Sequence, residues 1–230
     1  MSLLNENKVA NGHWSSPETE KFPVVVMKKP EFVASRKRQY LAALIPTIGS
    51  FSLGTVLAWS APALPDLKLR QDLGNLTADD ETWIASLAVL GALMSGFIVG
   101  VCINKFGRKL TMLAISFPFV LGWLLIAFAQ NLPMMYAGRF ITGFTGGCFT
   151  VIVPVYISES VEDNLRGLLG SAMVLMLVTG ILFAFSLAAF VSWFWLSVIC
   201  ALFPILLFFM LLFVPETPRF LLLKGQTKRA

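Results

Sequence analysis

Six apolar runs of about 18–22 residues dominate the sequence, at roughly 40–61, 83–103, 110–129, 134–155, 168–190 and 193–214. As a helix rising 1.5 Å per residue, each can cross about 30 Å of hydrocarbon. Backbone groups in lipid have no water to bond, so such runs must be helices. The chain is 57% apolar and 13% charged, where globular domains are about a quarter charged. The sequence therefore reads as an all-α membrane protein. It has a polar tail over 1–38, expected to be disordered, then a six-helix bundle over 39–214 and the start of a polar loop over 215–230.

Charge placement orients the bundle. Arg36, Lys37 and Arg38 precede the first run; Lys105, Arg108 and Lys109 lie between the second and third; Lys224, Lys228 and Arg229 follow the sixth. Positive charge favours the cytoplasmic side, so both termini and the 104–109 loop are expected inside. The net charge of +5 is accounted for by this bias, and nucleic acid is not an expected partner. The loop after the first run carries Asp66, Asp72, Asp79, Asp80 and Glu81 and is expected outside. It also holds Asn75-Leu76-Thr77, an N-glycosylation acceptor triplet at Asn75. No secretory signal peptide is visible in the polar N-terminus.

Small residues predict close helix contacts. In helix 1, Gly49, Ser50, Ser52, Gly54 and Thr55 fit either a cavity wall or tight packing, and the helix is expected to end at Pro62 and Pro65. Ala92, Gly96 and Gly100 form a stripe for backbone approach on helix 2, and Gly143 and Gly147 form a pair on helix 4. Helix 3 is featureless and expected to face lipid. Arg139 is expected to snorkel at the outer end of helix 4. Trp193 and Trp195 mark an outer interface.

The chemistry is sparse. Arg139 and Glu159 lie towards the two ends of helix 4, and Arg139 is the one charge inside the six predicted runs. Ion-coupled carriers usually keep an acid or histidine in the bundle interior, so this pattern favours passive movement of a neutral, polar solute. Cys102, Cys148 and Cys200 read as small buried apolar residues, and His13 lies alone in the tail. No metal spacing, cofactor motif or nucleophile–base pair appears, and an enzyme is not expected. Arg108 with Lys109, Glu159 with Arg166, and Glu216 with Arg219 lie at three helix ends on one face. They could tie one mouth shut, or merely fix orientation against lipid headgroups.

Four motifs then resemble the sugar porter family of the major facilitator superfamily. They are Gly100-x3-Asn104-Lys105-x-Gly107-Arg108-Lys109, Gly138-Arg139-Phe140, Pro154-x-Tyr156-x-Ser158-Glu159 followed by Arg166-Gly167, and Pro215-Glu216-Thr217-Pro218-Arg219-Phe220-Leu221. Among its members the chain is most similar to insect facilitated trehalose and hexose transporters. The resemblance implies the N-terminal half of a twelve-helix fold, itself a 3+3 inverted repeat. It implies facilitative transport of trehalose or a hexose by alternating access in the plasma membrane. It also implies a gating network of Arg108, Glu159, Arg166, Glu216 and Arg219, and a cavity lined by Ser52, Gly54, Val174, Leu177 and Ile181. Two departures stand out. Asn104 replaces an acid, and Val174 replaces a sugar-bonding Gln. A half-length chain is expected to need a second six-helix half or a homo-oligomer. The competing reading is a non-transporting half-carrier that regulates or pairs with full-length relatives.

Overall fold

The structure, a computed structural model, describes residues 36–223. The expectations for the tail before residue 36, for Lys224, Lys228 and Arg229 and for the end of the 215–230 loop lie outside the described residues. Seven helices follow in order: α1 (Arg36–Arg70), α2 (Ala78–Phe106), α3 (Arg108–Ala127), α4 (Leu132–Ser160), α5 (Asp163–Ala188), α6 (Trp193–Phe213) and the short α7 (Pro218–Leu223). No strand occurs among the described residues. The first six are long and apolar enough to cross a membrane.

α1 and α4 form the centre of the bundle and are its most buried spans. Packing is exchanged between the two three-helix repeats: α1 lies along α5, and α4 along α2. α3 and α6 pack on each other and back the central pair. In lipid, apolar burial drives helix association weakly, and close backbone approach takes over. Two glycine crossings supply it here. A Cβ on Gly54 would overlap the Leu177 carbonyl, and one on Gly180 would overlap the Phe51 carbonyl. In the other pair, a Cβ on Gly143 would overlap Ala88, and one on Gly91 would overlap the Phe140 carbonyl. Phe51 and Phe140, Gly54 and Gly143, Leu177 and Ala88, and Gly180 and Gly91 are each 89 positions apart. The same crossing is built twice from corresponding residues, once in α1·α5 and once in α4·α2.

Several expectations change. α1 does not stop at Pro62 and Pro65 but runs to Arg70, with Ala63 and Leu67 buried. Its end comes at Gln71, whose positive φ of 54° is followed by Gly74 at 80°. A proline removes one donor, and a helix packed against neighbours tolerates that loss. The stripe on α2 is shifted: Ala92 and Ser95 meet Gly147, whereas nothing lies within 4 Å of a Cβ on Gly96 or Gly100. α3 is not featureless. It buries Thr111, Met112, Ser116, Phe119, Trp123 and Ile126. At Gly122 it also lies close to Thr142 of α4.

Arg139 does not snorkel. It is 1% exposed and donates to Ile84 O at 3.1 Å, Val56 O at 3.2 Å and Ser60 Oγ at 2.6 Å. Its guanidinium lies 5.0 Å from the Trp59 ring centre. The planar fork of arginine suits this arrangement, because three neutral acceptors on α1 and α2 can be reached at once. A cation read as an end anchor is thus an interior tie of three helices.

Candidate functional site

α2 and α3 are joined by one residue, Gly107, with φ of 95°. The linker expected over 104–109 is therefore almost entirely helical, with Lys105 in the last turn of α2 and Arg108 opening α3. Gly107 is needed twice over. Its φ disfavours any residue with a Cβ, and a Cβ there would come within 2.7 Å of both Glu216 Oε2 and the Phe220 ring.

The first turn of α3 has no cap from its own preceding residue. Glu216, arriving after α6, supplies it. Glu216 Oε1 accepts from the Arg108 amide at 3.0 Å, the Lys109 amide at 3.1 Å and its neighbour Thr217 at 3.0 Å. A carboxylate against unsatisfied N–H groups at a helix N-terminus is favourable electrostatically as well as through hydrogen bonds. It offsets the unfavourable placement of Arg108 and Lys109 at that end. Lys109 Nζ turns away and donates to Leu212 O at 3.0 Å.

The Arg108 side chain reaches the end of α4. Its Nη2 lies 2.8 Å from Glu159 Oε1, with the two side chains only 7% and 5% exposed. Nη1 donates to Ile103 O at 3.3 Å, and the guanidinium lies over Phe220 at 5.8 Å. Arg219, largely exposed, approaches the same Glu159 oxygen at 3.7 Å. Glu159 Oε2 and Arg108 Nε have no hydrogen-bond partner among the described residues. Tyr156 OH donates to Pro215 O at 2.8 Å, fastening the segment that carries Glu216 to α4. Four of the five proposed network residues, Arg108, Glu159, Glu216 and Arg219, are thereby brought together. Arg166 is exposed in the first turn of α5, its amide bonded to Glu162 O at 3.1 Å.

The five residues expected to line a cavity divide. Ser52 is fully buried and donates to Ile48 O at 2.9 Å, and Gly54 lies in the α1·α5 crossing. Neither reaches an open face, because tight helix contact has taken up the small residues of α1. Val174 is 60% exposed, while Leu177 and Ile181 are half-buried on the same helix. Asn75 is exposed in the turn before α2. Thr77 of its triplet caps α2, forming a reciprocal pair with Asp80.

From the sequence alone, the acids between residues 66 and 81 carry no role beyond charge. In the structure Asp66 and Asp72 both bind Trp193, and Asp80 accepts from Tyr136 OH at 2.8 Å. The missed signal was the position of α6's first residue, which needs a donor's partner at an otherwise uncapped helix start.

Comparison with known proteins gives a consistent result. The chain is 37% identical over 217 residues to the Bos taurus solute carrier family 2, facilitated glucose transporter member 8, covering 94% of this chain and 45% of that protein. It is 36% identical over 193 residues to the facilitated trehalose transporter Tret1 of Apis mellifera ligustica, covering 84% of this chain and 38% of that one. The chain thus spans less than half the length of these relatives. Among solved structures, the proton:xylose symporter XylE, bound to 6-bromo-6-deoxy-D-glucose, superposes with a TM-score of 0.77 at 20% identity. That match covers 85% of this chain and 49% of XylE. It identifies the fold as one six-helix half of a major facilitator. Residues 31–230 match the family described as sugar (and other) transporter, and the chain, a multi-pass membrane protein, belongs to that family.

Proposed function

We propose that the chain forms one six-helix wall of a facilitative carrier for a neutral sugar, a hexose or trehalose, working by alternating access in the plasma membrane. The Arg108 end of the bundle faces the cytoplasm and Asn75 faces outward. A second six-helix half, or another copy, completes the passage.

The observation that carries this reading is the buried Arg108–Glu159 pair, joined to Glu216 on the first turn of α3. A buried ion pair is weak evidence for stability, since apolar replacements of similar size often do as well. An assembly of two carboxylates and two arginines that ties α3, α4 and the segment after α6 together is better explained as a closable contact. Glu159 and Arg219 then open and shut the inner mouth, with Arg166 at its edge. The absence of an acid in the middle of any described span supports movement without ion coupling. Val174, with Leu177 and Ile181 beside it, offers the sugar an apolar wall, so hydrogen-bonding selectivity must come from elsewhere in the passage.

The test is uptake of labelled glucose and trehalose into proteoliposomes. The chain is reconstituted alone and together with the second half of a relative. Saturable uptake by the paired halves supports the reading, and Glu159→Gln should then change the rate more than the amount of protein. No uptake by a correctly assembled pair overturns it.

A further inference from the structure

A neutral sugar is held by hydrogen bonds, and the side chains of Val174, Leu177 and Ile181 offer it none. The hydroxyls of the two central helices are nearly all spent. Along the apolar runs of α1 and α4, Thr47, Ser52, Thr55, Thr142, Thr145 and Thr150 each donate to a carbonyl three or four residues back on their own helix. All of these but Thr150 are buried. Ser50 is buried as well, with no partner among the described residues.

Ser60 differs from all of them. Its oxygen accepts from Arg139 Nη2 at 2.6 Å, and the carbonyl one turn back, Val56 O, is engaged by Arg139 Nη1 at 3.2 Å. A guanidinium can only donate, so the Ser60 proton does not lie in its bond to Arg139. The carbonyl that captures such a proton elsewhere on α1 is already taken. The Ser60 proton has no acceptor among the described residues. A hydroxyl that accepts from a charged donor is also polarised into a stronger donor itself. Ser60 is half-buried, and Leu57 and Ala61 beside it on α1 are exposed. Arg139 behind it is 1% exposed, so a ligand there meets the hydroxyl and not the charge.

We propose that Ser60 is a specificity-determining residue, its hydroxyl donating to a hydroxyl oxygen of the sugar near the outer mouth of the passage. Arg139 is its positioning residue: by occupying the Ser60 oxygen and Val56 O together, it turns the proton away from α1. The proposal rests on the carrier reading above, and it names a polar contact that the apolar wall of α5 lacks.

Competition binding tests this on the chain paired with the second half of a relative. Labelled glucose and labelled trehalose are displaced by analogues in which each hydroxyl in turn is removed or replaced by fluorine. Fluorine can still accept weakly but cannot donate. At the sugar position that meets Ser60, the fluoro analogue should therefore bind about fivefold better than the deoxy one, the worth of one ordinary hydrogen bond. Ser60→Ala should close that gap, and Ser60→Thr, which keeps a hydroxyl, should retain it. Arg139→Lys cannot hold the Ser60 oxygen and Val56 O together; the proton falls back on Val56 O, and the gap should shrink. The comparison is between two ligands on one protein, so a loss of folded material does not imitate it. No gap at any position in the wild type, or a gap that survives Ser60→Ala, overturns the proposal. A pair that shows the full pattern but moves no sugar leaves the donor standing and overturns the carrier reading. A pair that moves sugar, with the same gap in Ser60→Ala as in the wild type, overturns the donor alone.

Discussion

Alanine substituted at four glycines should give two opposite results. At Gly143 and Gly54 a Cβ would meet main-chain atoms of the neighbouring helix: Ala88 Cα at 2.5 Å in one case and Gly180 Cα at 3.1 Å in the other, with a carbonyl closer still in both. Main chain cannot rotate aside, so each helix pair must separate by roughly 1 Å to restore ordinary contact. Overpacking of this kind costs about 1–3 kcal/mol. For a chain of this size each kcal/mol lowers the unfolding midpoint by about 2–4 °C. Gly143→Ala and Gly54→Ala should each lower it by about 2–12 °C, and by similar amounts, because the crossings correspond residue for residue. Gly96→Ala and Gly100→Ala add a methyl where nothing lies within 4 Å. These should be neutral or gain up to about 1 kcal/mol from better helix propensity. Thermal unfolding of the four variants in one detergent, followed by size-exclusion chromatography, gives the comparison. Equal losses at all four positions, or none at Gly143, would refute the assignment of the crossings.

Three further outcomes follow from the site and its surroundings. Gly107→Ala should cost about 1–3 kcal/mol in backbone strain and displace Glu216, seen as faster amide exchange at Arg108 and Lys109; unchanged exchange would show that Glu216 does not depend on the glycine. Arg139→Lys keeps the charge but cannot reach Ile84 O, Val56 O and Ser60 Oγ together; a loss of about 2 kcal/mol is expected in thermal unfolding, and a silent substitution would contradict the tie. Asn75→Gln should abolish an N-glycosidase-sensitive mass shift without changing stability. Thr77→Ala should abolish the shift and also cost about 1 kcal/mol through the lost α2 cap.

The six spans were legible in the sequence because length and apolarity alone specify a membrane helix. Their limits were less so. The prolines at 62 and 65 read as a stop, yet α1 continues because Leu67 is buried and Asp66 is held by α6. The ends of three helices could be placed on one face from charge alone, and Arg108, Glu159, Glu216 and Arg219 do meet there. The hydrogen-bonding partners could not be read. Nothing local says that Glu216 caps α3, since its partner lies about a hundred positions earlier. Periodicity also failed to show which small residues make contact. Gly96 and Gly100 have the same spacing as Gly143 and Gly147, but only the latter pair meets another backbone. Arg139 was misread for a similar reason: near a span's end, a cation can snorkel or turn inward, and the choice depends on acceptors from α1 and α2.

Counterflow is the most direct test of the central claim, that this bundle is half of an uncoupled carrier rather than of a pore or a symporter. Vesicles bearing the chain paired with a second half are preloaded with unlabelled sugar and diluted into a trace of labelled sugar. The account predicts a transient accumulation of label above equilibrium and, in vesicles without preloaded sugar, no accumulation when an inward proton gradient is imposed. Preloaded vesicles that take up label without overshoot, or unloaded vesicles that accumulate it under the imposed gradient, would contradict it.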